Sequence, residues 1–323
     1  MAAARVVSIP LRTRFRGMTE RELLVFEGPN GWSEWAAFPE YSDEEATLWL
    51  EAALEWGYGD LPKPKRTQVK VNAILPAVNG EEIAKVLSRA GKFETVKIKV
   101  AEPTQDISLD LARIQEVRLL HPEAKIRLDA NGGFEIPQAL ELLESLGALG
   151  IKLEYFEQPV KSIAELAELR LEIQKRGLET FVAADESVRK SSDPLAVEIA
   201  GAADILVLKS APLGGVARAL EVAASSKLPI AASSAMQSSI GLAAELHFAA
   251  SLENSVFDAG LGTLNLFAGD LVKDSLKPVD GVLEVRRETL NPTALEIFSA
   301  EDHRYDWWIE RLERCGRLIG LES

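Results

Sequence analysis

Within the first sixty positions, apolar and polar residues alternate through the short runs VVSIPL, ELLVFEG and WSEWAAF, then take a helical spacing in DEEATLWLEAALEWG. Period-two alternation predicts strands and the later spacing an amphipathic helix, so this part reads as an α+β unit. The segment LPKPKR follows as a linker. From about residue 67 the pattern becomes TQVKVNAIL, TVKIKV, KIRLDA, IKLEYFE, TFVAAD, DILVLK, LPIAAS and SVFDAG, separated by amphipathic helices. Eight such units closing on themselves predict a TIM-like (β/α) barrel of about 220 residues. The runs share a period but not residues, so this is not a sequence-repeat array. NPTALEIF and DWWIERLERCGRLIG lie beyond the barrel and are expected to fold back as helices.

The six tryptophans fall at positions 32, 35, 49, 56, 307 and 308, with none between. Large aromatics need one another or an apolar wall to bury their area. The two chain ends are therefore expected to share one core as a composite α+β cap. The expected division is a cap over 1–66, a catalytic barrel over 67–290 and C-terminal helices over 291–323 packed on the cap.

Charge narrows the function. With a net charge of -14 over 323 residues, the chain lacks the clustered cations that phosphate contacts need, so no nucleic-acid partner is expected. The single cysteine, Cys315, excludes a disulfide framework and a thiolate metal cluster. His121, His247 and His303 have no metal-ligand spacing and are taken as structural. No run has membrane-span length and the N-terminal segment lacks a signal-peptide core, so a cytoplasmic protein is expected, a monomer or small homo-oligomer.

Several strand runs end in an ionisable residue: Lys97 and Lys99, Asp129, Glu157, Asp185 and Lys209, spaced from Lys99 onward by 30, 28, 28 and 24 residues. One βα unit has about that length, which places them at one level on successive strands, at the barrel mouth where active sites form. Each alone could be a strand cap or turn former, and Lys97 and Lys99 a solvated face. Five in register point instead to chemistry. Three carboxylates facing one point repel each other, and a hard divalent cation relieves that cost: Mg2+ is expected, with Mn2+ as the alternative. Such an ion stabilises the enediolate formed when a carbon acid beside a substrate carboxylate loses its proton, while lysines supply acid and base. The expected partner is a small anionic carboxylate.

The motifs VKIKV, LDANGG, FEQP, ADES and LVLKSAPLGG, in this order, resemble the muconate-lactonising branch of the enolase superfamily over nearly the whole chain. The resemblance implies a modified (β/α)7β barrel and metal ligands Asp129, Glu157 and Asp185. It also implies Lys99 as the second lysine of a K-x-K pair and Lys209 as the lysine of the sixth strand. The segments IPLRTRFRGMTERE, GWSEWAAFPEY and SSAMQSSIGLAAELHFAA are similar to the branch members that dehydrate a succinyl-substituted hydroxycyclohexadiene carboxylate in menaquinone biosynthesis. That implies that Lys99 removes and returns a proton while Lys209 stays cationic over the substrate.

Substrate contacts are expected from Ser233, Ser234, Ser238 and Ser239 at a helix N-terminus. Gly262, with Gly260, stands where dipeptide epimerases of the branch carry a D-x-D. Arg127 is expected to point into the barrel toward the substrate or a supporting carboxylate. Lys97 and Asn131 are expected to support the site. The stretches Phe15 to Met18 and Trp35 to Tyr41 are candidate lids. N-Succinylamino acid racemisation, a Schiff-base aldolase built on Lys209 and a non-catalytic scaffold remain as alternatives.

Overall fold

A computed structural model of the chain describes residues 2–15, 17–103, 105–254 and 256–321. Strands β1 (Ala2–Phe15), β2 (Met18–Gly28) and β3 (Gly31–Trp35) form an antiparallel meander. Leu23, Leu24, Val25 and Phe26 are all buried, so this sheet is covered on both faces rather than solvated on one. Helix α1 (Asp43–Tyr58) starts where the Ser42 hydroxyl accepts from Glu45 N–H at 3.2 Å, with three acids in its first turn to complement the helix dipole. Its buried residues Ala46, Trp49, Leu50, Ala53 and Trp56 recur at helical spacing.

The run TQVKVNAIL, read from sequence as one strand, breaks in two at Val71 and Asn72. Strand β4 (Gln68–Lys70) leaves the barrel and β5 (Ala73–Leu75) enters it. The chain continues through α2 (Glu81–Ala90), β6 (Thr95–Lys99), α3 (Ile107–Leu120), β7 (Lys125–Asp129), α4 (Ile136–Ala148), β8 (Leu153–Glu157) and α5 (Ile163–Lys175). Then come β9 (Val182–Ala184), the single turns α6 (Glu186–Arg189) and α7 (Ala196–Ile199), β10 (Ile205–Leu208), α8 (Ser210–Leu213), α9 (Val216–Ser225), β11 (Ile230–Ala232) and α10 (Ser239–Ser251). Strands β5 to β11 make one parallel sheet in chain order.

The eighth expected strand, SVFDAG, is not a full strand. Its end closes the circle by single parallel bridges, Ser233 with Gly260 and Val71 with Ala259, with Gly260 N–H donating to Ala232 O at 2.8 Å. Gly260 tolerates this approach because it has no side chain: a Cβ there would lie 2.5 Å from Ser233 Oγ. Beyond the barrel, β12 (Val282–Glu284) pairs antiparallel with β4.

Inside the barrel, Tyr155, Ala183, Ile205, Val207 and Ala231 pack with Phe257 as a small core of their own, apart from the larger core between strands and helices. Arg127 lies beside this plug, its guanidinium over Tyr155 at 4.7 Å and donating to Glu154 Oε2 at 2.5 Å. It also donates to Asn72 Oδ1 at 2.9 Å and Asp258 O at 2.7 Å.

The last helices, α11 (Pro292–Ile297) and α12 (Asp302–Leu318), return to the cap. Trp308 meets Trp35 edge to face with centroids 5.2 Å apart. Buried Arg311 donates to Phe38 O and Tyr41 O at 3.1 and 2.7 Å. The expected shared core of the two chain ends is this cluster. The LPKPKR segment is tied down rather than loose, since His247 Nε2 bonds Pro62 O at 2.7 Å and Arg66 donates to Leu252 O at 2.7 Å.

Candidate active site

The strand register brings the ionisable ends together. Lys99 pairs with Asp129, and Asp129 with Glu157, across adjacent strands. Glu157 is level with Ala183, two residues short of Asp185, and Ala183 is level with Ile205, four short of Lys209. The equal level expected from sequence therefore holds for three residues and then advances two per strand. An advance of two keeps the side chain on the same face and follows the tilt of barrel strands.

The resulting mouth holds buried charge. Lys97 Nζ lies 3.1 Å from Asp129 Oδ2 and 3.0 Å from Glu157 Oε1. Lys99 Nζ lies 2.6 Å from the same Asp129 oxygen and 2.5 Å from Asn131 Oδ1, and Lys209 Nζ lies 2.5 Å from Asp185 Oδ2. Asp129, Glu157 and Asp185 are no more than 2% exposed. Burial opposes ionisation of Asp129, but Lys99 and Lys97 outweigh it and hold the carboxyl far below its usual range. Asp185 is likewise drawn down to about 2, where Lys209 and Arg189 outweigh burial. Glu157 goes the other way, up to about 7, because burial and the Asp129 carboxylate outweigh Lys97. Lys97 is held well above its usual value as Glu157 and Asp129 overcome its burial. Both members of the Lys97–Glu157 pair thus shift upward, Glu157 chiefly because it is buried.

Around these groups is a narrow cavity. Lys97, Lys99, Asp129, Asn131, Asp185, Arg189 and Lys209 line its charged side. Phe15, Phe38, Ile74 and Met236 give it apolar walls, and Ser233, Ser234, Gly260 and Thr263 a small polar one. Lys99 is on β6 and Lys209 follows β10, four strands apart in a circle of eight positions, so the two ammonium groups rise from opposite sides of the mouth. Four of the five non-glycine residues with positive φ among the described residues stand just past barrel strands: Ala101, Asn131, Gln158 and Met236. Such backbone costs about 1 kcal/mol or more per residue and concentrates where geometry serves function.

Gln158 joins two of these strand ends: its Oε1 accepts from Asp185 N–H and Ser187 N–H at 3.1 Å each, and its Nε2 donates to Ser187 Oγ at 2.8 Å.

Residues 80–289 match the family model described as enolase C-terminal domain-like, and residues 6–57 the enolase N-terminal domain-like model. The o-succinylbenzoate synthase of Mycobacterium ulcerans (strain Agy99) is 44% identical over 318 residues, covering 98% of this chain and 94% of that protein. The chain belongs to the o-succinylbenzoate synthase family, within the enolase superfamily. A second family member, from Mycobacterium tuberculosis (strain ATCC 25618 / H37Rv), is 45% identical over 314 residues, 97% of this chain and 94% of that one. The fold is shared more widely. A muconate lactonizing enzyme from Pseudomonas fluorescens complexed with muconolactone superposes with TM-score 0.75 at 18% identity, covering 92% of this chain and 98% of that one. The L-Ala-D/L-Glu epimerase from Bacillus subtilis gives TM-score 0.73 at 22% identity over 89% and 96% of the two chains. The seven-strand parallel sheet with its two-ended cap is the fold of these relatives.

Within this family member, four residues expected at the substrate lie elsewhere. Arg127 points into the barrel as expected and pairs with a carboxylate, but that carboxylate is Glu154 near the start of β8, so its guanidinium is directed away from the mouth and does not reach the substrate side. Ser238 caps α10, and its N–H donates to Glu34 of the cap at 3.2 Å while its hydroxyl bonds the same carboxylate. Ser239 is held by Asp270, its N–H donating at 3.0 Å. The helix N-terminus expected to bind an anionic substrate arm already faces two protein carboxylates. Gly262 does not line the cavity; its Cα packs against Asn72 O, where a Cβ would lie at 2.7 Å, and the neighbours Gly260 and Thr263 face the site instead.

Ser233, Ser234, Lys97 and Asn131 do line the cavity. Of the candidate lids, Phe15 stands 5.2 Å from Lys99 Nζ and Phe38 adds a wall, whereas Arg16 lies outside the described residues. Arg189, Met236 and Thr263 were not singled out from sequence. Gln158 directly follows Glu157 in FEQP, and that adjacency was the available signal.

Proposed function

We propose that the chain is a Mg2+-dependent hydro-lyase that converts 2-succinyl-6-hydroxy-2,4-cyclohexadiene-1-carboxylate to 2-succinylbenzoate, with Mn2+ as an alternative ion. Family membership supports the substrate, and the placement of Lys99 and Lys209 across one cavity carries the mechanism.

Asp129, Glu157 and Asp185 fit a hard cation by their chemistry: three buried carboxylates, one with an oxygen, Asp185 Oδ1, that accepts no hydrogen bond among the described residues and faces Arg189 Nε at 3.3 Å. Among the described residues no three acidic or histidine side chains already converge as a ligand set, because the ammonium groups of Lys97, Lys99 and Lys209 stand between them. These carboxylates would hold the ion. When bound, it would neutralise a substrate carboxylate and favour the enediolate.

The side chains then perform the proton transfers. Lys99 acts as a base only after it gives up the ammonium proton it holds beside Asp129; its neutral Nζ then takes the proton beside the substrate carboxylate and becomes an ammonium again. It returns that proton to the departing hydroxyl, so water leaves, the ring becomes aromatic and Lys99 is neutral again. Lys209 stays cationic on the opposite face, and Phe15, Phe38 and Met236 exclude water from the ring.

The test follows aromatic product from the cyclohexadiene acid with and without Mg2+. Lys99→Ala is expected to lower kcat by about 10²-fold or more. Dehydration that persists in chelator, or full activity in Lys99→Ala, would defeat the assignment.

The opposed lysines also favour a second reaction, racemisation of an N-succinylamino acid through one proton transfer from each face. Separate Lys99→Ala and Lys209→Ala variants distinguish the two roles. Single-face proton exchange surviving in Lys209→Ala makes Lys209 an acid–base group, and loss of all exchange leaves it electrostatic.

A further inference from the structure

Glu245 lies midway along α10, fully buried among Leu242, Leu246 and Ala249. A carboxylate in such a position is expensive without compensation, and an apolar residue would serve helix packing better. Its compensation comes from four neutral donors. Oε2 accepts from Ser210 N–H at 2.7 Å and Ser210 Oγ at 2.9 Å, while Oε1 accepts from Ala211 N–H at 3.0 Å and Gln237 Nε2 at 2.9 Å. Gln237 passes the restraint on, because its Oε1 accepts from Ala235 N–H at 2.7 Å.

One end of this clamp adjoins the cavity and the other lines it. Ser210 follows Lys209 directly, and Ala235 sits between Ser234 and Met236, which line the site. Met236 has φ +61°, so the turn it occupies requires an external restraint to persist. Ser210, Ala211 and Ala235 themselves lie outside the strands, since β10 ends at Leu208 and β11 at Ala232; at the edges of the second wall Ser233 is bridged to Gly260 and Met236 O accepts from Arg21 Nε at 3.0 Å.

We propose that Glu245 is a positioning residue that holds Lys209 and the Ser233–Met236 wall at a fixed separation across the cavity, acting through Ser210, Ala211 and Gln237. This rests on the role of Lys209 given above.

Glu245→Gln tests it with little change in volume. The new amide group must face an N–H or O–H donor where an oxygen stood, which breaks at least one leg of the clamp. The expected result is a fall in kcat of about tenfold or more, since small misplacements of reacting groups carry costs of that order. A second readout needs no turnover: competitive acetylation of the metal-free protein, followed by mass spectrometry, should change Lys209 labelling relative to Lys99 by about threefold or more. Leu246→Val, on the same helix, controls for ordinary destabilisation and should keep kcat while lowering the melting temperature. Should Glu245→Gln fail to fold, Gln237→Leu cuts only the leg to Ala235 and should raise KM by more than it lowers kcat.

Unchanged kcat and Lys209 labelling in folded Glu245→Gln overturns the proposal, as does an unchanged KM in Gln237→Leu. Lys209→Met separates the two layers of the argument. Activity lost there but intact in Glu245→Gln removes the clamp alone, whereas full activity in Lys209→Met removes the role of Lys209 itself.

Discussion

At the scale of single residues, the site depends on side chains that never face the cavity. Arg113 on α3 is 1% exposed and donates to Lys99 O at 2.9 Å, Val78 O at 2.7 Å and Asp110 Oδ1 at 2.6 Å, while Asp110 Oδ2 accepts from Ala101 N–H at 2.9 Å. This buried pair grips the backbone on both sides of the β6 end and supports the left-handed Ala101. Removing one partner leaves an uncompensated buried charge. Arg113→Met is therefore expected to lower the unfolding free energy by about 3–5 kcal/mol, measured by urea denaturation. A loss below 1 kcal/mol would show that Asp110 finds other compensation. Asp129, Glu157 and Asp185 were legible because each ends a hydrophobic run. Arg113 was not, since an arginine on an amphipathic helix looks like a solvated one until the packing is known.

At the scale of elements, the junction between α10 and the cap is set by Glu34 on β3. Its carboxylate accepts from Ser238 N–H and Gly241 N–H at 3.2 Å each, and its pKa is raised to about 7 because burial outweighs these donors. A raised carboxyl binds its proton more tightly when folded. Its contribution is therefore fully present below about pH 4.5, the ordinary value, and is lost as pH rises through about 7. A shift of this size corresponds to about 3 kcal/mol. Unfolding free energies measured from pH 5 to 7.5 should thus fall more steeply in the native chain than in Glu34→Gln. Parallel curves would place the titration elsewhere. The helix start at Ser238 was readable from its serines, but not what faces it, because the occupying carboxylate comes from 204 residues away.

At the scale of the whole molecule, the cap is closed by its last helix. Trp308 is fully buried against Trp35, and its indole N–H donates to Glu22 Oε2 at 3.0 Å. Trp308→Ala is expected to cost about 3–5 kcal/mol and to expose the C-terminal helix to limited proteolysis before the barrel. Initial cleavage within the barrel would argue against one core shared by the chain ends.

The sequence by itself determined the alternation of strands and helices, the two-ended tryptophan cap and the carboxylates and lysines of the mouth. Local period and spacing encode those. Tertiary structure decided which polar groups reach the cavity. It directed Arg127 away from the mouth, gave the α10 N-terminus to Glu34 and Asp270, and placed Gly260 and Thr263 rather than Gly262 at the wall. It also replaced the eighth strand by a pair of bridges. For Arg127, Ser238 and Ser239 the physical reason is shared. A buried polar group must be satisfied, and its partner is chosen by proximity in the folded molecule, which sequence separation does not reveal.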